Sequence, residues 1–243
     1  MKNKNTIAAT FSPTLLLVII FYSAQTFSEF SGTLTGATDY FWRGYSKTDG
    51  DLAIRANLDY EHESGLFLGI SVINIDFGDD DFDDQSHVEI TPYLGWTYNL
   101  NEDWRIDLQW TRYLYDGKIF GHESDYNEFY FLLHYRDLIT LSTSFSEDFY
   151  NHGHAVGNYE ITGRYPVTDA IEMSAGIGYY QVKPVLEYDY LYWNAGFTYF
   201  YKFAAFDFRY VDSAFTSDTA NIQWPYDPEM LEPTFIFSIS VGF

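Results

Sequence analysis

The sequence predicts an all-β protein, a transmembrane antiparallel up-and-down β-barrel of about 12 strands preceded by a signal peptide. Three observations predict it. Aromatic residues make up 21% of the 243 residues, yet the mean hydropathy is only -0.22. A bundle of membrane helices would be far more apolar, whereas a barrel sets only alternate residues against lipid and gathers rings at both interfaces. From Phe30 onward the chain alternates in blocks of about ten residues, the length of a tilted membrane strand. The final segment, Thr234 to Phe243, puts Phe235, Phe237, Ile239, Val241 and Phe243 on one parity. Thr234, Ser238, Ser240 and Gly242 share the other, with Ile236 the exception. Successive strand side chains point to opposite faces, so this strand has an oily face and a small polar one.

Residues 1–28 read as a secretory signal. Lys2 and Lys4 give a basic start, Leu15 to Tyr22 an apolar stretch, and Ser23, Ala24, Thr26 and Ser28 a small-residue end. Cleavage is expected between residues 24 and 28. The apolar stretch falls short of the roughly 20 residues that span a bilayer. Residues 29–243 then form one barrel domain, and export places it in the bacterial outer membrane.

Alternation gives strands over 30–41, 52–61, 66–77, 87–98, 104–115, 126–136, 138–147, 158–166, 170–182, 190–201, 204–212 and 233–243. In 52–61, for example, Leu52, Ile54, Ala56, Leu58 and Tyr60 interleave with Ala53, Arg55, Asn57, Asp59 and Glu61. An even count lets the first strand pair antiparallel with the last. Connections alternate between short turns such as Asn99–Asp103 and longer loops such as Trp42–Asp51 and Ser213–Glu232. Short turns mark the periplasmic side and long loops the outside. The third strand has no clean phase. Leu66, Leu68, Ile70 and Val72 share a face with Asn74 and Asp76, while Phe67, Ile73 and Ile75 lie opposite with Gly69 and Ser71. A bulge near Ser71 would reconcile them. Arg112, on an oily face near the outer end of its strand, can snorkel to headgroups.

A soluble sandwich also alternates, but its apolar face is the inside. Here the apolar faces are strongly aromatic and the polar faces carry charge at mid-strand, as a wet lumen allows. The phasing assigns Arg55, Arg105, Arg164 and Arg209 to that lumen, against Asp59, Glu61, Glu89, Asp107, Glu128, Glu160, Glu172 and Asp207. These twelve are the candidate pore-lining residues. Rings of charge set selectivity, and the acid excess points to small polar or cationic solutes. The alternative is a plug of mutual salt bridges in a non-conducting structural or surface-binding barrel.

The remaining features carry less chemistry. There are 35 acidic and 13 basic residues, for a net charge of -22. Such a surface repels nucleic acid, and it attracts cations and divalent-bridged lipid and lipopolysaccharide headgroups. With Cys 0, there is neither a disulfide nor a thiolate site. Asp79, Asp80, Asp81, Asp83 and Asp84 lack the glycine and glutamate of a calcium loop and read as a solvated outer loop. His152 and His154 near Asp148 lack a third strong metal ligand. His134 with Ser142, Ser144 or Ser146 reads as polar lumen filling rather than a nucleophile–base pair. No enzyme, metal or cofactor is expected.

Two resemblances follow. The terminal strand, ending on Phe243, resembles the closing strands of outer-membrane barrels, where a final Phe is part of the assembly signal. That resemblance implies contact with the barrel-assembly machinery. Ser31-Gly32-Thr33-Leu34-Thr35, then Asp39-Tyr40-Phe41-Trp42-Arg43-Gly44-Tyr45-Ser46-Lys47-Thr48 and Leu58 to Gly65, resemble the opening hairpin of the TorF family of porins. That family carries an Asp-Tyr-x-x-Arg-Gly-x-Ser segment. Tyr113 to Gly117 and Asn127 to Tyr130 are similar to later family segments, although the family more often has proline where Asp116 stands. The resemblance implies an outer-membrane porin and brings no catalytic or substrate residues with it.

Overall fold

The computed structural model describes residues 29–79, 81–186, 188–214 and 233–243. The expected signal segment and most of the Ser213–Glu232 loop lie outside the described residues. Among the described residues, twelve strands close into a barrel. They are β1 (Glu29–Ala37), β4 (Ala53–Glu61), β5 (Leu66–Asn74), β6 (Val88–Asn99), β7 (Trp104–Tyr115) and β8 (Tyr126–Tyr135). The circle continues with β9 (Ile139–Ser146), β10 (Val156–Thr168), β11 (Ile171–Gln181), β12 (Tyr190–Tyr201), β13 (Ala204–Ala214) and β14 (Thr234–Gly242). Two short strands, β2 (Phe41–Trp42) and β3 (Tyr45–Ser46), pair only with each other.

Each wall strand pairs antiparallel with its neighbours, and β1 meets β14 with Leu34 opposite Val241 and Ala37 opposite Ser238. Closure leaves no sheet edge with unpaired N–H and C=O groups, which hydrocarbon could not satisfy. Phe243 completes the seam. Its N–H donates to the Gly32 carbonyl at 2.9 Å, and the Gly32 N–H donates back to the Phe243 carbonyl at 2.8 Å. The Phe243 ring occupies the space where a Cβ on Gly32 would stand, 2.5 Å from that point.

The outward parity carries the apolar side chains. Leu58, Leu94, Trp96, Phe129, Ile161, Met173, Phe197 and Phe237 are all exposed. A water-soluble barrel would not leave a continuous band of this kind bare, and a lipid-facing one must. Rings gather at the short-turn end, where Phe30 packs on Tyr60 at 4.8 Å and Trp104 on Tyr135 at 4.9 Å. The short turns use tight geometry. Arg136 and Asp137 both have positive φ, 50° and 56°, as a two-residue turn matched to strand twist requires.

Two elements differ from the sequence expectation. The third membrane strand contains no bulge at Ser71, since β5 pairs in unbroken register with β6 from Leu66 to Asn74. Leu66, Leu68, Ile70 and Val72 face out, and Phe67, Ser71 and Ile73 are buried inside. Asn74 ends the strand by accepting from the Ile54 N–H at 2.6 Å and donating to the Leu52 carbonyl at 2.9 Å. A register shift occurs instead in β10, between Pro166 and Thr168, where proline cannot donate to the ladder. The first strand, expected to run to residue 41, stops at Ala37. The aromatic run Tyr40-Phe41-Trp42 that extended its pattern leaves the wall and turns into the barrel.

Candidate functional site in the barrel lumen

Residues 38–52 connect β1 to β4 at the long-loop end, and the β2–β3 hairpin within them is seated inside the barrel. Its turn is Arg43-Gly44, with φ of 49° and 91°, the double positive φ of a two-residue hairpin turn. A Cβ on Gly44 would lie 2.9 Å from both Tyr190 and Tyr192 and 3.0 Å from Ser213, so the tip rests against β12 and β13. Trp42, Arg43, Lys47 and Thr48 are at most 1% exposed. The Trp42–Asp51 segment, expected among the outside loops, is thus mostly lumen filling. Its apolar residues leave water by packing together there, and its two cations find carboxylates.

The polar residues of the segment hold its shape. The Asp39 carboxylate accepts from Ser46 Oγ at 2.6 Å and Thr48 Oγ1 at 2.9 Å. The Tyr40 N–H donates to Thr48 Oγ1 at 2.9 Å, and the Lys47 N–H donates to the Tyr40 carbonyl at 2.7 Å. Burial pushes the Asp39 carboxyl above its ordinary range, against the lowering effect of the two hydroxyls. Asp-Tyr-x-x-Arg-Gly-x-Ser is therefore a folding pattern, with a clamp at Asp39 and Ser46 and a turn at Arg43 and Gly44.

Each cation of the hairpin meets a wall glutamate. Arg43 Nη1 lies 2.7 Å from Glu128 Oε1, and Arg43 Nη2 donates to Ser144 Oγ at 2.7 Å. The guanidinium lies 4.1 Å from the centre of the Trp42 ring and 5.1 Å from that of Tyr180. Lys47 Nζ lies 2.6 Å from Glu89 Oε2 and 4.3 Å from the centre of the Trp42 ring. Burial pulls the Lys47 ammonium down, and Glu89 opposes that shift. Burial works most strongly against the Arg43 charge, but Glu128 together with Tyr130, Tyr180 and Tyr113 outweighs it and holds the group further into its charged range.

All twelve predicted lumen residues lie on the inward parity of their strands, and the structure sorts them into two tiers. Near the long-loop end, Glu89 and Glu128 bind the hairpin, and the Arg55 guanidinium lies 4.6 Å from the centre of the Tyr40 ring. Glu160, in the same tier, accepts from Tyr192 Oη at 2.7 Å and Thr162 Oγ1 at 2.9 Å. Towards the short-turn end the charges pair along the wall. Arg209 lies 3.1 Å from Asp207, Arg105 3.5 Å from Asp107, and Arg164 3.8 Å from Glu172. Asp59 accepts from the Tyr93 hydroxyl, and Glu61 is partly exposed at the end of β4. The four arginines expected to face all eight acids therefore meet only some of them. The most deeply buried pairs use Arg43 and Lys47, which alternation alone left in a loop. One signal for the hairpin was present. Ile73, Val211 and Ile236 break the polar parity of their strands, and all three belong to the buried cluster around Trp42.

The other constellations resolve locally. His134 spends its two ring nitrogens on Asp107 at 2.9 Å and Thr140 at 3.0 Å, while Ser144 Oγ donates to Glu128. The His134–serine pairing is not formed. Asp148 accepts from the Gly153 N–H at 2.6 Å, a turn contact, and His152 stacks edgewise on His122 at 5.8 Å. Asp79 is not solvated as expected. It is buried and accepts from the Phe120 N–H at 2.7 Å, while Asp81, Asp83 and Asp84 are exposed.

Comparison with known proteins agrees with this architecture. A KdgM porin superposes with a TM-score of 0.55 at 8% identity, covering 88% of this chain and 98% of that one. The same values hold for a KdgM porin in complex with disordered oligogalacturonate. An outer membrane channel from Pseudomonas putida F1 (COG4313) gives a TM-score of 0.49 at 10% identity, over 90% of this chain and 96% of that one. At 8% identity the likeness to the KdgM porin is one of fold. No curated protein matches the chain in sequence. The match that extends over residues 23–243 is to the family described as "Bacterial protein of unknown function (Gcw_chp)", and the chain belongs to that family.

Proposed function

We propose that the protein is an outer-membrane channel of the porin kind, for passive diffusion of small polar or cationic solutes, whose lumen is closed at rest by the β2–β3 hairpin. The observation that carries this reading is the inner wall on the short-turn side of the hairpin. There Asp59, Glu61, Arg105, Asp107, Arg164, Glu172, Asp207 and Arg209 form a charged tier in a closed barrel with an oily exterior. A barrel serving only as scaffold could fill that space with apolar side chains. Charge facing a wet lumen is the usual means of setting pore selectivity. The fold likeness to the KdgM porin and the TorF-like segment around Arg43 support the same reading. On it, a signal peptide cleaved between residues 24 and 28 exports the chain. Phe243 presents the terminal strand to the barrel-assembly machinery, and lipid and lipopolysaccharide surround the exterior.

One observation favours a non-conducting barrel instead, namely the burial of Trp42, Arg43 and Lys47 in the lumen. Planar-bilayer recording under a potassium chloride gradient separates the two. The comparison is between the folded mature protein and a variant with residues 40–47 replaced by a short Gly/Ser linker. The native protein is expected to give rare or small steps. The variant should give larger discrete steps with a reversal potential favouring potassium. A chloride preference would overturn the cationic assignment. Silence from a folded variant would sink the channel reading in favour of the non-conducting barrel.

A further inference from the structure

We infer that the wall around Arg43 and Lys47 is a binding site for solutes bearing a guanidinium or primary ammonium group, and that these two side chains occupy it as tethered stand-ins. The inference rests on the channel reading for its route of access and names the solute class that the channel would take.

The argument starts from what the wall supplies without the hairpin. Glu128 is already oriented by its neighbours, with Ser144 Oγ donating to Oε1 at 2.8 Å and Tyr130 Oη donating to Oε2 at 2.5 Å. The Tyr130 hydroxyl is itself bonded to that of Tyr113 at 2.6 Å. The carboxylate therefore keeps its partners if Arg43 leaves. A carboxylate fixed in this way, beside the Tyr180 ring, presents the acceptor and π-face that a planar guanidinium recognises. Glu89 is built on the same plan. Tyr115 Oη donates to its Oε2 at 3.0 Å, and the Tyr113, Tyr115 and Tyr150 rings stand 5.4, 5.9 and 5.7 Å from Lys47 Nζ. A carboxylate with several aromatic faces around one ammonium is a cation cage.

The geometry also sets what is refused. A solute carrying its own carboxylate brings that charge towards Glu89 and Glu128, and the π-faces add no compensation. A diamine or an amino-guanidine without a carboxylate should bind better than an amino acid, and an anion not at all. Because the stand-ins are tethered, they compete at a high effective concentration, so the native protein should bind such solutes weakly. Freeing the site removes that competition.

Agmatine, which has one guanidinium and one ammonium, is the probe. It is titrated calorimetrically in detergent micelles against the native protein and the Arg43→Ala/Lys47→Ala variant. The variant is expected to bind about tenfold or more tightly than the native protein. Adding Glu89→Gln and Glu128→Gln should abolish binding, arginine should bind more weakly than agmatine, and glutamate should not bind. A folded double variant that ignores agmatine overturns the inference, as does binding that survives both glutamine substitutions. If the double variant does not fold, Thr48→Cys in the otherwise native chain serves. Agmatine, and not glutamate at equal ionic strength, should accelerate its reaction with a membrane-impermeant maleimide, and no acceleration overturns the inference. Bilayer current separates the two proposals. A conducting variant that agmatine does not block overturns the site and keeps the channel. Agmatine binding with no current in any variant keeps the site and overturns the channel.

Discussion

Arg43 and Glu128 are both fully enclosed, with side chains 0% exposed, and lie 2.7 Å apart. Removing either partner strands a charge away from water, which costs about 3–5 kcal/mol in buried pairs. The Arg136–Asp103 pair at the short-turn end is also close, at 2.7 Å, but lies in solvent. Surface pairs contribute little because water already screens them. Glu128→Gln is therefore expected to lower the unfolding temperature in detergent clearly, and Arg136→Ala to leave it nearly unchanged. The opposite order would mean that the buried pair does not hold the hairpin. Gly44 gives a second test at this scale. Its φ of 91° and the wall atoms at 2.9 Å leave no room for a branched side chain. Gly44→Val should unseat the turn, which would appear as faster maleimide labelling of a Thr48→Cys reporter. Unchanged protection of that cysteine would count against a seated tip. Single residues were only partly legible in the sequence. Alternation assigned the inward parity of Arg55, Glu89 and the other ten, because parity is a local property of a strand. It could not assign Arg43 or Lys47, whose partners lie 85 and 42 positions away.

At the scale of elements, β7 and β12 span the residues that alternation gives them, because lipid outside and polar wall inside enforce a strict period. Where the inside is not water the period blurs. The mixed phase of residues 66–77 arises from Ile73 and Ile75, which belong to the hairpin cluster, and not from a bulge at Ser71. β1 ends early for the same reason, its apparent continuation being the hairpin itself. The outer connections are tied to the barrel rim by Asp116. Its Oδ1 accepts from Ser86 Oγ at 2.8 Å and from the His87 and Val88 N–H groups at 2.8 and 2.9 Å. Burial alone would raise this carboxyl, but those donors hold it below the usual range. A carboxyl lowered in the folded state contributes stability above the unfolded value of about 3.9 and loses it as pH falls through the folded one. Protection of the His87 and Val88 amides, taken relative to their intrinsic exchange rates at each pH, should thus be high at neutral pH and fall under acid. Asp116→Asn should show low protection at both, and pH-independent protection of these amides in the native chain would refute the tie.

For the whole molecule, barrel closure and strand count were readable from twelve alternating blocks and a terminal aromatic strand. The filling of the lumen was not, because it depends on contacts among strands far apart in the chain. On the channel reading proposed above, that filling sets the conductance expected of the intact protein. If the hairpin is held largely by two ion pairs, weakening both should raise open probability without altering the barrel. Recording Glu89→Gln/Glu128→Gln beside the native protein checks this. More frequent openings with an unchanged heat-modified gel shift are expected, and native-like gating would mean that aromatic packing alone holds the hairpin.

The hairpin also puts events in order. The Tyr190 hydroxyl donates to the Arg43 carbonyl at 2.8 Å across 147 residues, and the Phe237 N–H donates to Thr38 Oγ1 at 3.1 Å across 199. The tether is thus among the first parts of the chain to leave the ribosome, and its seat is among the last to exist. Contacts that distant are slow to form. The seat is complete only once the last strands are in place, so Trp42 is expected to stay in water until then. Strand content should recover early in refolding and Trp42 shielding from iodide later, as a separate phase, so that sealing is the final step by which the barrel matures.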